Sequence, residues 1–250
     1  MKVALAREEG LSVLIVGAGG IGAPLALALV RAGVRRFLVC DDDRVERSNL
    51  HRQILYRESD VGAEKLDAFA RALERLGAGV EVELVRSRFL PPLARDLLAR
   101  ASVVVDATDN FASRFLIADA CKMHHVPVVH AAAVRWKATV MATAATGAPC
   151  YRCLFEDLPE GTAPDCATAG VLGPVCGVSG ALAADLVLRI LRGATGGESP
   201  YGFILTYDGL TDRLRRVGVR PRPDCPLCGA EPTLIELDES RYAGPACGPD

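Results

Sequence analysis

The sequence predicts an α/β protein with a Rossmann-like, doubly wound and mainly parallel sheet that carries an antiparallel C-terminal extension. Two observations carry this prediction. Short apolar runs alternate with segments of helical periodicity through the first half of the chain, as in successive βαβ units. The first of these runs ends at the glycine-rich turn GAGGIG, residues 17–22.

The first half of the chain contains the alternating elements. The apolar runs predict buried parallel strands at residues 13–16, 36–40, 80–85, 102–106 and 126–129. The periodic segments predict helices at residues 23–31, 61–76, 93–100 and 111–124. The first helix tolerates Pro24 because its first turn has N–H groups without partners, and Gly33 marks its end.

The second half differs in character. A strand is predicted at residues 139–146, followed by a long Pro- and Gly-rich stretch and an apolar helix at 177–192. Residues 203–207 and 213–217 predict antiparallel strands around the turn DGLTD. The chain is therefore interpreted as one domain, residues 1–250, whose second half extends the same sheet.

Composition excludes some function classes. The net charge is −2 with both signs mixed, which argues against nucleic acid or an anionic membrane as the main partner. No signal-peptide pattern is seen, and the apolar runs are interpreted as too short or interrupted to cross a bilayer. Nine cysteines without an export signal favour a cytoplasmic protein with metal-binding or catalytic thiols over disulfides.

The glycine turn predicts a nucleotide site. Gly17, Gly19 and Gly22 form G-x-G-x-x-G between a strand and a helix, with Gly20 inside it. Such a turn brings backbone N–H groups and a helix N-terminus to phosphate. Asp41 follows at the end of the next strand, where a carboxylate can accept both ribose hydroxyls. The motif alone does not separate NAD from ATP.

Cations and acids then decide between the two nucleotides. Hydride transfer needs no cation cluster, whereas splitting a triphosphate requires charge neutralisation by Arg, Lys and magnesium. The C-terminal ends of parallel strands share one crevice, so residues after different strands converge there. The charged and polar residues at these positions are Arg44, Asn49, Arg52, Lys65, Asp109 and Asn110. Asp109 is the expected magnesium ligand, because carboxylate oxygen suits that ion.

These segments resemble the ThiF/MoeB/HesA family. The resemblance is carried by VLIVGAGGIGAPLALALVRAGVRRFLVCDDDRVERSNLHRQ, VGAEKLDA, DATDNFASR and the pairs PCYRC and CPLCG, from about residue 11 to 229. It implies an ATP-dependent adenylyltransferase. Such an enzyme activates the C-terminal Gly-Gly carboxylate of a small ubiquitin-like sulfur-carrier protein and releases pyrophosphate.

The resemblance also implies roles for single residues. Gly20 would lie under the phosphates and Asp41 on the ribose. Ser48, Asn49 and Arg52 would line the nucleotide, with Lys65 on phosphate and Asp109 holding magnesium beside Asn110. No general base is needed, because the attacking carboxylate is ionised at pH 7. The nucleotide-binding half would be residues 11–132, the carrier-binding and zinc half 133–229, and the irregular tail 230–250.

Two CxxC pairs predict a metal site. Cys150 and Cys153 form one pair, Cys225 and Cys228 the other, and two such pairs can close a tetrahedral zinc site. The spacing alone does not show that the pairs meet, and a redox CxxC is the competing interpretation. Their contexts match the zinc pairs of the family, so the fold prediction includes structural zinc.

The resemblance extends to a loop cysteine and to partners. Cys166 aligns with a family cysteine that forms a covalent link with the carrier in some members and is dispensable in others; both roles stay open. Family members usually carry an N-terminal arginine segment that reaches the partner subunit, and Arg7 matches it poorly. A homodimer is expected, with sulfur from a separate donor such as a cysteine desulfurase or rhodanese.

Three alternative functions remain open at the level of the sequence. A tRNA threonylcarbamoyladenosine dehydratase-like enzyme would also use ATP on a carboxylate, but the two CxxC pairs favour the sulfur-carrier enzyme. A nucleotide-binding scaffold for a ubiquitin-like partner would lack turnover. An NAD dehydrogenase would need a hydride-handling His or Lys near the glycines, and none is placed there.

Overall fold

A single sheet of eight strands organises the part of the chain that the computed structural model describes, residues 10–76, 79–158, 169–193 and 198–242. Its strands are β1 Ser12–Val16, β2 Arg36–Cys40, β3 Glu81–Val85, β4 Val103–Asp106, β5 Val128–Val134, β6 Lys137–Thr143, β7 Phe203–Asp208 and β8 Arg213–Gly218. Their spatial order is β3-β2-β1-β4-β5-β6-β7-β8. Strands β1 to β5 pair in parallel, and β6, β7 and β8 follow in antiparallel. The predicted mixed α/β sheet is confirmed.

Helices cover both faces of the parallel part. They are α1 Gly22–Ala32, α2 Lys65–Leu76, α3 Pro91–Ala99, α4 Phe111–Met123, the short α5 Arg152–Phe155 and α6 Gly173–Leu191. Short 3-10 helices lie at Arg47–Asn49, Glu58–Asp60 and Glu239–Tyr242. The strands that follow β1 are added on one side of it up to β3, and from β4 onwards they are added on its other side. The point between β1 and β4 is therefore the switch point, where such folds bind ligands.

Two cores lie on the two faces of the sheet. Val13 and Ile15 of β1 pack in a core with residues of α1, α2 and α6. Leu14 and Val16 of the same strand pack in a second core with residues of α3 and α4. Burial on both faces explains why β1 is continuously apolar from Val13 to Val16 instead of alternating.

Two of the boundaries that differ from the sequence prediction have a clear local cause. The helix predicted from residue 61 begins at Lys65, because a 3-10 turn and Gly62 with φ +87° precede it. The strand predicted at 126–129 runs from Val128 to Val134, where its second half pairs with β6. That half contains alanines, which give a weaker strand signal than β-branched residues.

Helix α6 corrects the expectation that no apolar run is long enough to cross a membrane. By length and composition Gly173–Leu191 passes that test. In the structure it packs against β5, β6 and α1. Gly180 allows the close approach to α1, because a Cβ there would lie 2.8 Å from Pro24 Cγ and 2.9 Å from the carbonyl oxygen of Ile21. The helix is therefore a core element of this fold.

Candidate nucleotide and metal sites

A cavity of about 180 Å³ opens at the C-terminal ends of β1, β2 and β4. The cavity wall contains most of the residues that the sequence analysis assigned to the nucleotide: Gly17, Gly19, Gly20, Asp41, Asn49, Arg52, Lys65, Asp109 and Asn110. Gly22 and Ser48 are not among the lining residues. The structure thus brings the predicted set together at the switch point of the sheet.

The glycine turn forms the floor of this cavity. Gly17 has φ +99°, and a Cβ there would lie 2.7 Å from the carbonyl oxygen of Ala107. A Cβ on Gly22 would lie 2.1 Å from the carbonyl oxygen of Gly17, so the turn itself requires both glycines. At Gly19 the nearest atom to a Cβ is Gln53 Nε2 at 3.8 Å. Protein packing therefore does not demand glycine at this position, and the space it leaves is available to a ligand.

Asp41 is held rigidly at the end of β2. Its Oδ2 accepts a hydrogen bond from the N–H of Ala18 at 2.8 Å, and its Oδ1 accepts one from the N–H of Asp43 at 2.9 Å. Lys65 Nζ lies 3.3 Å from Asp41 Oδ1 and donates to Asp43 Oδ2 at 2.7 Å. Carboxylate oxygens carry more acceptor sites than these bonds use, so Asp41 can still accept ribose hydroxyls.

Lys65 is a charged group in the cavity wall. It is 4% exposed, and burial acts to lower its pKa. The charges of Asp41 and Asp43 and their hydrogen bonds outweigh burial and raise the pKa. The ammonium group of Lys65 therefore stays protonated and neutralises the two acids. It also lies in the cavity wall, where the family resemblance implies a contact with phosphate.

The arginine-rich segment divides into an outer and an inner part. Arg44 pairs with Glu64, and Arg47 pairs with Glu58, both at the exposed surface. Arg52 alone of these three lines the cavity. Ser48 Oγ donates to Glu46 Oε2 at 3.3 Å, on the outer part. The inner arginine is the one that can contact phosphate.

Asp109 and Asn110 follow β4 at the opposite wall. Asn110 is the N-cap of α4, and its Oδ1 accepts a hydrogen bond from the N–H of Ser113 at 2.9 Å. Asp109 is exposed and makes no ion pair with any part of the chain that the structure describes. An unpaired carboxylate at the cavity edge can bind a hard cation such as magnesium.

Residues that the sequence analysis did not assign complete the wall. Arg88 and Phe89 line the cavity after β3, and Arg88 Nε lies 3.2 Å from Asp42 Oδ2. Gln53 is 4% exposed, and its Oε1 has no hydrogen-bond partner among residues 10–76, 79–158, 169–193 and 198–242. In the sequence, the position of Gln53 at the end of SNLHRQ is a signal that it belongs to the site. For Arg88, the signal is its position shortly after a parallel strand. An orphaned buried oxygen in the wall fits a site for a polar ligand.

Helix N-termini add positive potential to the cavity. The turn before α1 and residues at the starts of α4 and α6 line it. Gly173 at the start of α6 packs against the arginine-rich segment, since a Cβ there would lie 2.4 Å from the carbonyl oxygen of His51. Because a helix N-terminus carries about half a positive charge, this arrangement suits a polyanion such as a triphosphate.

The two CxxC pairs meet in one cluster, which packs against Met123 at the end of α4. Cys150 Sγ lies 3.5 Å from Cys225 Sγ, and Cys153 Sγ lies 3.4 Å from Cys228 Sγ. All four sulfurs are within 4.8 Å of one another. Zinc–sulfur bonds of about 2.3 Å place the sulfurs of a tetrahedral site roughly 3.8 Å apart, so the cluster fits a metal.

The environment of the thiols also fits a metal. Burial raises the pKa of Cys228 to about 11 and raises that of Cys150 further. Burial acts in the same direction at Cys225, but hydrogen bonds from the N–H groups of Leu227 and Cys228 outweigh it and lower the pKa of Cys225. Gly229 makes this turn possible, because a Cβ would lie 2.5 Å from the carbonyl oxygen of Pro223. N–H groups directed at sulfur stabilise a thiolate, which is the form that binds metal.

Three further residues bear on the comparison with the sequence analysis. Cys166 and Arg7 lie outside the described residues. Cys176, to which the sequence analysis assigned no role, is buried and lines the nucleotide cavity.

Comparisons with known proteins give a consistent family. The family model described as "ThiF family" matches residues 5–227. The sulfur carrier protein adenylyltransferase of Thermus thermophilus is 42% identical over 245 residues, 95% of this chain and 90% of that protein. The SAMP-activating enzyme E1 of Haloferax volcanii is 42% identical over 218 residues, which cover 87% of this chain and 80% of that protein.

Other relatives are longer than this chain. The adenylyltransferase and sulfurtransferase MOCS3 of Sus scrofa is 44% identical over 239 residues, 95% of this chain but 51% of that protein. The crystal structure of E. coli MccB with ATP superposes with a TM-score of 0.75 at 21% identity, covering 88% of this chain and 67% of that one. At this identity the likeness to MccB concerns the fold.

Proposed function

The chain belongs to the ThiF family, and we propose that it is an ATP-dependent adenylyltransferase acting on a small ubiquitin-like sulfur-carrier protein of the ThiS/MoaD type. The enzyme would join AMP to the C-terminal Gly-Gly carboxylate of the carrier and release pyrophosphate. Relatives that carry these activities in their names support the proposal.

The convergence of Asp41, Arg52 and Asp109 around the glycine turn is the observation that carries the proposal. A nicotinamide site needs the turn and Asp41 but neither an inner arginine nor an unpaired carboxylate at the opposite wall. A triphosphate needs both, because the negative charge must be neutralised on several sides.

The residues of this chain would act by binding and orientation. Backbone N–H groups of the turn, with Asn49 and Arg52, would hold the phosphates, and Asp41 would hold the ribose. The attacking carboxylate is ionised and is repelled by phosphate, so its approach depends on neutralisation and alignment. Alignment of this kind can contribute roughly 7–11 kcal/mol.

Magnesium would be held by Asp109 beside Asn110. When bound, it would neutralise charge on the triphosphate oxygens. Lys65 would keep Asp41 and Asp43 neutralised and so lower the repulsion between these acids and the phosphates.

Zinc would occupy the four-cysteine cluster in a structural role. When bound, it would hold the segment around Cys225 and Cys228 against α5. On its other side, α5 is joined to α4 by a buried ion pair, in which Arg152 Nη2 lies 2.8 Å from Asp119 Oδ2. Structural zinc of this kind can contribute on the order of 10 kcal/mol to folding.

The partners and setting follow from the same proposal. We place the enzyme in the cytoplasm as a homodimer, with residues 11–132 as the nucleotide-binding half and 133–229 as the carrier-binding half. A separate cysteine desulfurase or rhodanese would supply sulfur for thiamine, molybdopterin or related biosynthesis. Cys166 would be a candidate for a covalent link with the carrier.

Pyrophosphate release tests the proposal. The full chain should release pyrophosphate from ATP and magnesium only when a ThiS-type carrier with an intact Gly-Gly end is added. Asp109→Ala should abolish release while the protein melts as the wild type does. Asp185→Ala is the matched control, since Asp185 is an exposed acid on α6 away from the cavity. Carrier-independent release, or full activity of Asp109→Ala, would reject the assignment.

A further inference from the structure

Arg114 of α4 is a buried cation close to the nucleotide cavity. It is 7% exposed and is not among the residues that line this cavity, although Asn110 and Ser113 at the start of the same helix are. A buried charge is costly unless its N–H groups find partners. The partners of Arg114 show which part of the chain the guanidinium group holds in place.

The guanidinium group of Arg114 joins two backbone carbonyl groups. Its Nη2 donates to the carbonyl oxygen of Thr108 and, at 2.8 Å, to that of Ala131. Thr108 belongs to the turn that follows β4, whereas Ala131 belongs to β5. The last residues that pair between these strands are Asp106 and His130. Arg114 therefore links the two chain segments just beyond the end of the β4–β5 ladder.

Asp106 holds the same turn through other atoms. It is fully buried, and its Oδ1 accepts hydrogen bonds from the N–H of Thr108 at 3.1 Å and from Thr108 Oγ1 at 2.6 Å. Arg114 Nη1 lies 3.6 Å from Asp106 Oδ2, so the guanidinium group also balances the charge of this acid. Thr108 is thus held at its N–H, its hydroxyl and its carbonyl group, and the contact at the carbonyl group comes from Arg114.

The carbonyl group of Thr108 belongs to the same peptide unit as the N–H of Asp109. Because this unit is planar, holding the carbonyl oxygen also holds the nitrogen and Cα of Asp109. The carboxylate of Asp109 is exposed and makes neither an ion pair nor a hydrogen bond with the residues that the structure describes. The backbone therefore decides where this carboxylate can reach.

We propose that Arg114 is a positioning residue for magnesium binding: by holding the carbonyl oxygen of Thr108, it places the Asp109 carboxylate where it can bind a magnesium ion on the phosphates. This inference rests on the proposed function, which assigns magnesium to Asp109. Arg114 itself contacts neither the metal nor the nucleotide. The planar fork of arginine suits this role, because it presents several N–H groups in fixed directions, whereas lysine carries a compact ammonium group.

Arg114→Lys tests this role because it keeps a positive charge for Asp106 and removes the fork. The readout is the free magnesium concentration that half-saturates pyrophosphate release by the full chain with ATP and a ThiS-type carrier. We expect this concentration to rise about 10- to 100-fold, as when other residues that orient a metal ligand are replaced. The affinity for a non-hydrolysable ATP analogue in EDTA should stay within twofold of wild type. Arg95→Lys is the control, since Arg95 is exposed on α3 and does not line the cavity.

Thr108→Gly changes the same peptide unit and leaves the buried pair of Arg114 and Asp106 in place. Glycine has no hydroxyl for Asp106 and has a freer backbone, so the half-saturating magnesium concentration should rise about 10-fold here as well. A merely structural role would lower the melting temperature without a selective change in the magnesium requirement. A wild-type magnesium requirement in either Arg114→Lys or Thr108→Gly would overturn the inference.

A double variant tests whether Arg114 acts through Asp109. In calorimetric titrations with excess magnesium, Asp109→Ala and Arg114→Lys should each bind the ATP analogue more weakly than the wild type. The double variant should bind as Asp109→Ala does, because the carboxylate that Arg114 positions is then absent. Losses that multiply in the double variant would show that Arg114 acts independently of Asp109, and the inference would be wrong.

The two proposals fail in different ways. If the wild type releases no pyrophosphate with the carrier, the adenylyltransferase proposal fails, while the titrations with the ATP analogue still test Arg114. If Asp109→Ala is inactive as proposed but Arg114→Lys has the magnesium requirement of the wild type, only the role of Arg114 is rejected.

Discussion

Gly19→Ala is a sharp test of the glycine turn because it separates ligand binding from folding. The added Cβ would have Gln53 Nε2 at 3.8 Å as its nearest neighbour, which is an ordinary van der Waals contact. Gly19 is not among the glycines with positive φ, so alanine can adopt its backbone conformation. The substitution therefore places a methyl group in the cavity wall without disturbing the free protein.

The expected magnitudes follow from these contacts. Replacing glycine by alanine at a compatible position stabilises a protein by about 0.4–1 kcal/mol, so the melting temperature should stay or rise slightly. A methyl group between the turn and a phosphate would remove a hydrogen bond from a backbone N–H to a charged oxygen, worth about 1.5–3 kcal/mol. ATP affinity should then fall about 10- to 150-fold.

Isothermal titration calorimetry with a non-hydrolysable ATP analogue and magnesium measures this loss, and thermal unfolding measures the stability. Gly218→Ala is the matched control, since a Cβ there meets nothing within 4 Å and Gly218 lies on β8, far from the turn in the sheet order. Unchanged ATP affinity in Gly19→Ala would refute the reasoning that the turn contacts phosphate.

Three further predictions concern the metal cluster, the buried ion pair and a buried thiol. Cys228→Ala should lose the metal, as measured by metal analysis, and should have a lower melting temperature in thermal unfolding. The control Cys121→Ala should retain the metal. Full zinc content in Cys228→Ala would contradict the four-cysteine site. Arg152→Leu should destabilise the protein by about 3–5 kcal/mol in urea unfolding, because Asp119 would stay buried without its counter-charge. A loss of stability below about 1 kcal/mol would contradict this prediction. Burial, followed by the charges of nearby acids, raises the pKa of Cys40 to about 12. The stability that the protonated thiol contributes is complete below the unfolded pKa of about 9 and is lost as the pH rises towards 12. The stability of Cys40→Ala should therefore fall less over this pH range than that of the wild type. An identical pH profile of stability for both proteins would show that the pKa of Cys40 is not raised.

The parallel part of the fold could be predicted because its central strands, β1 and β4, are buried on both faces. The strand Arg36–Cys40 was predicted with its observed bounds, since its apolar run stands between clear turn signals. The strand Val128–Val134 was predicted too short, because its later residues include small alanines, of which Ala131 and Ala133 pack in the core with α6. Its extension depends on pairing with β6, which the local sequence does not encode.

The candidate site was predictable where the chain topology decides it. Gly19, Asp41 and Asp109 converge because all follow parallel strands that end at one edge of the sheet. The ion pairing of Lys65 with Asp43 was not predictable, because it depends on side-chain geometry. Arg88 has no motif of its own, and only the course of the chain after β3 brings it to the cavity.

The most direct measurement is the intact mass of the carrier after incubation with the chain, ATP and magnesium. A ThiS-type carrier with its Gly-Gly end should gain the mass of one AMP, and a carrier shortened by the last glycine should not. A chain that binds ATP tightly but leaves the intact carrier unmodified would contradict the account.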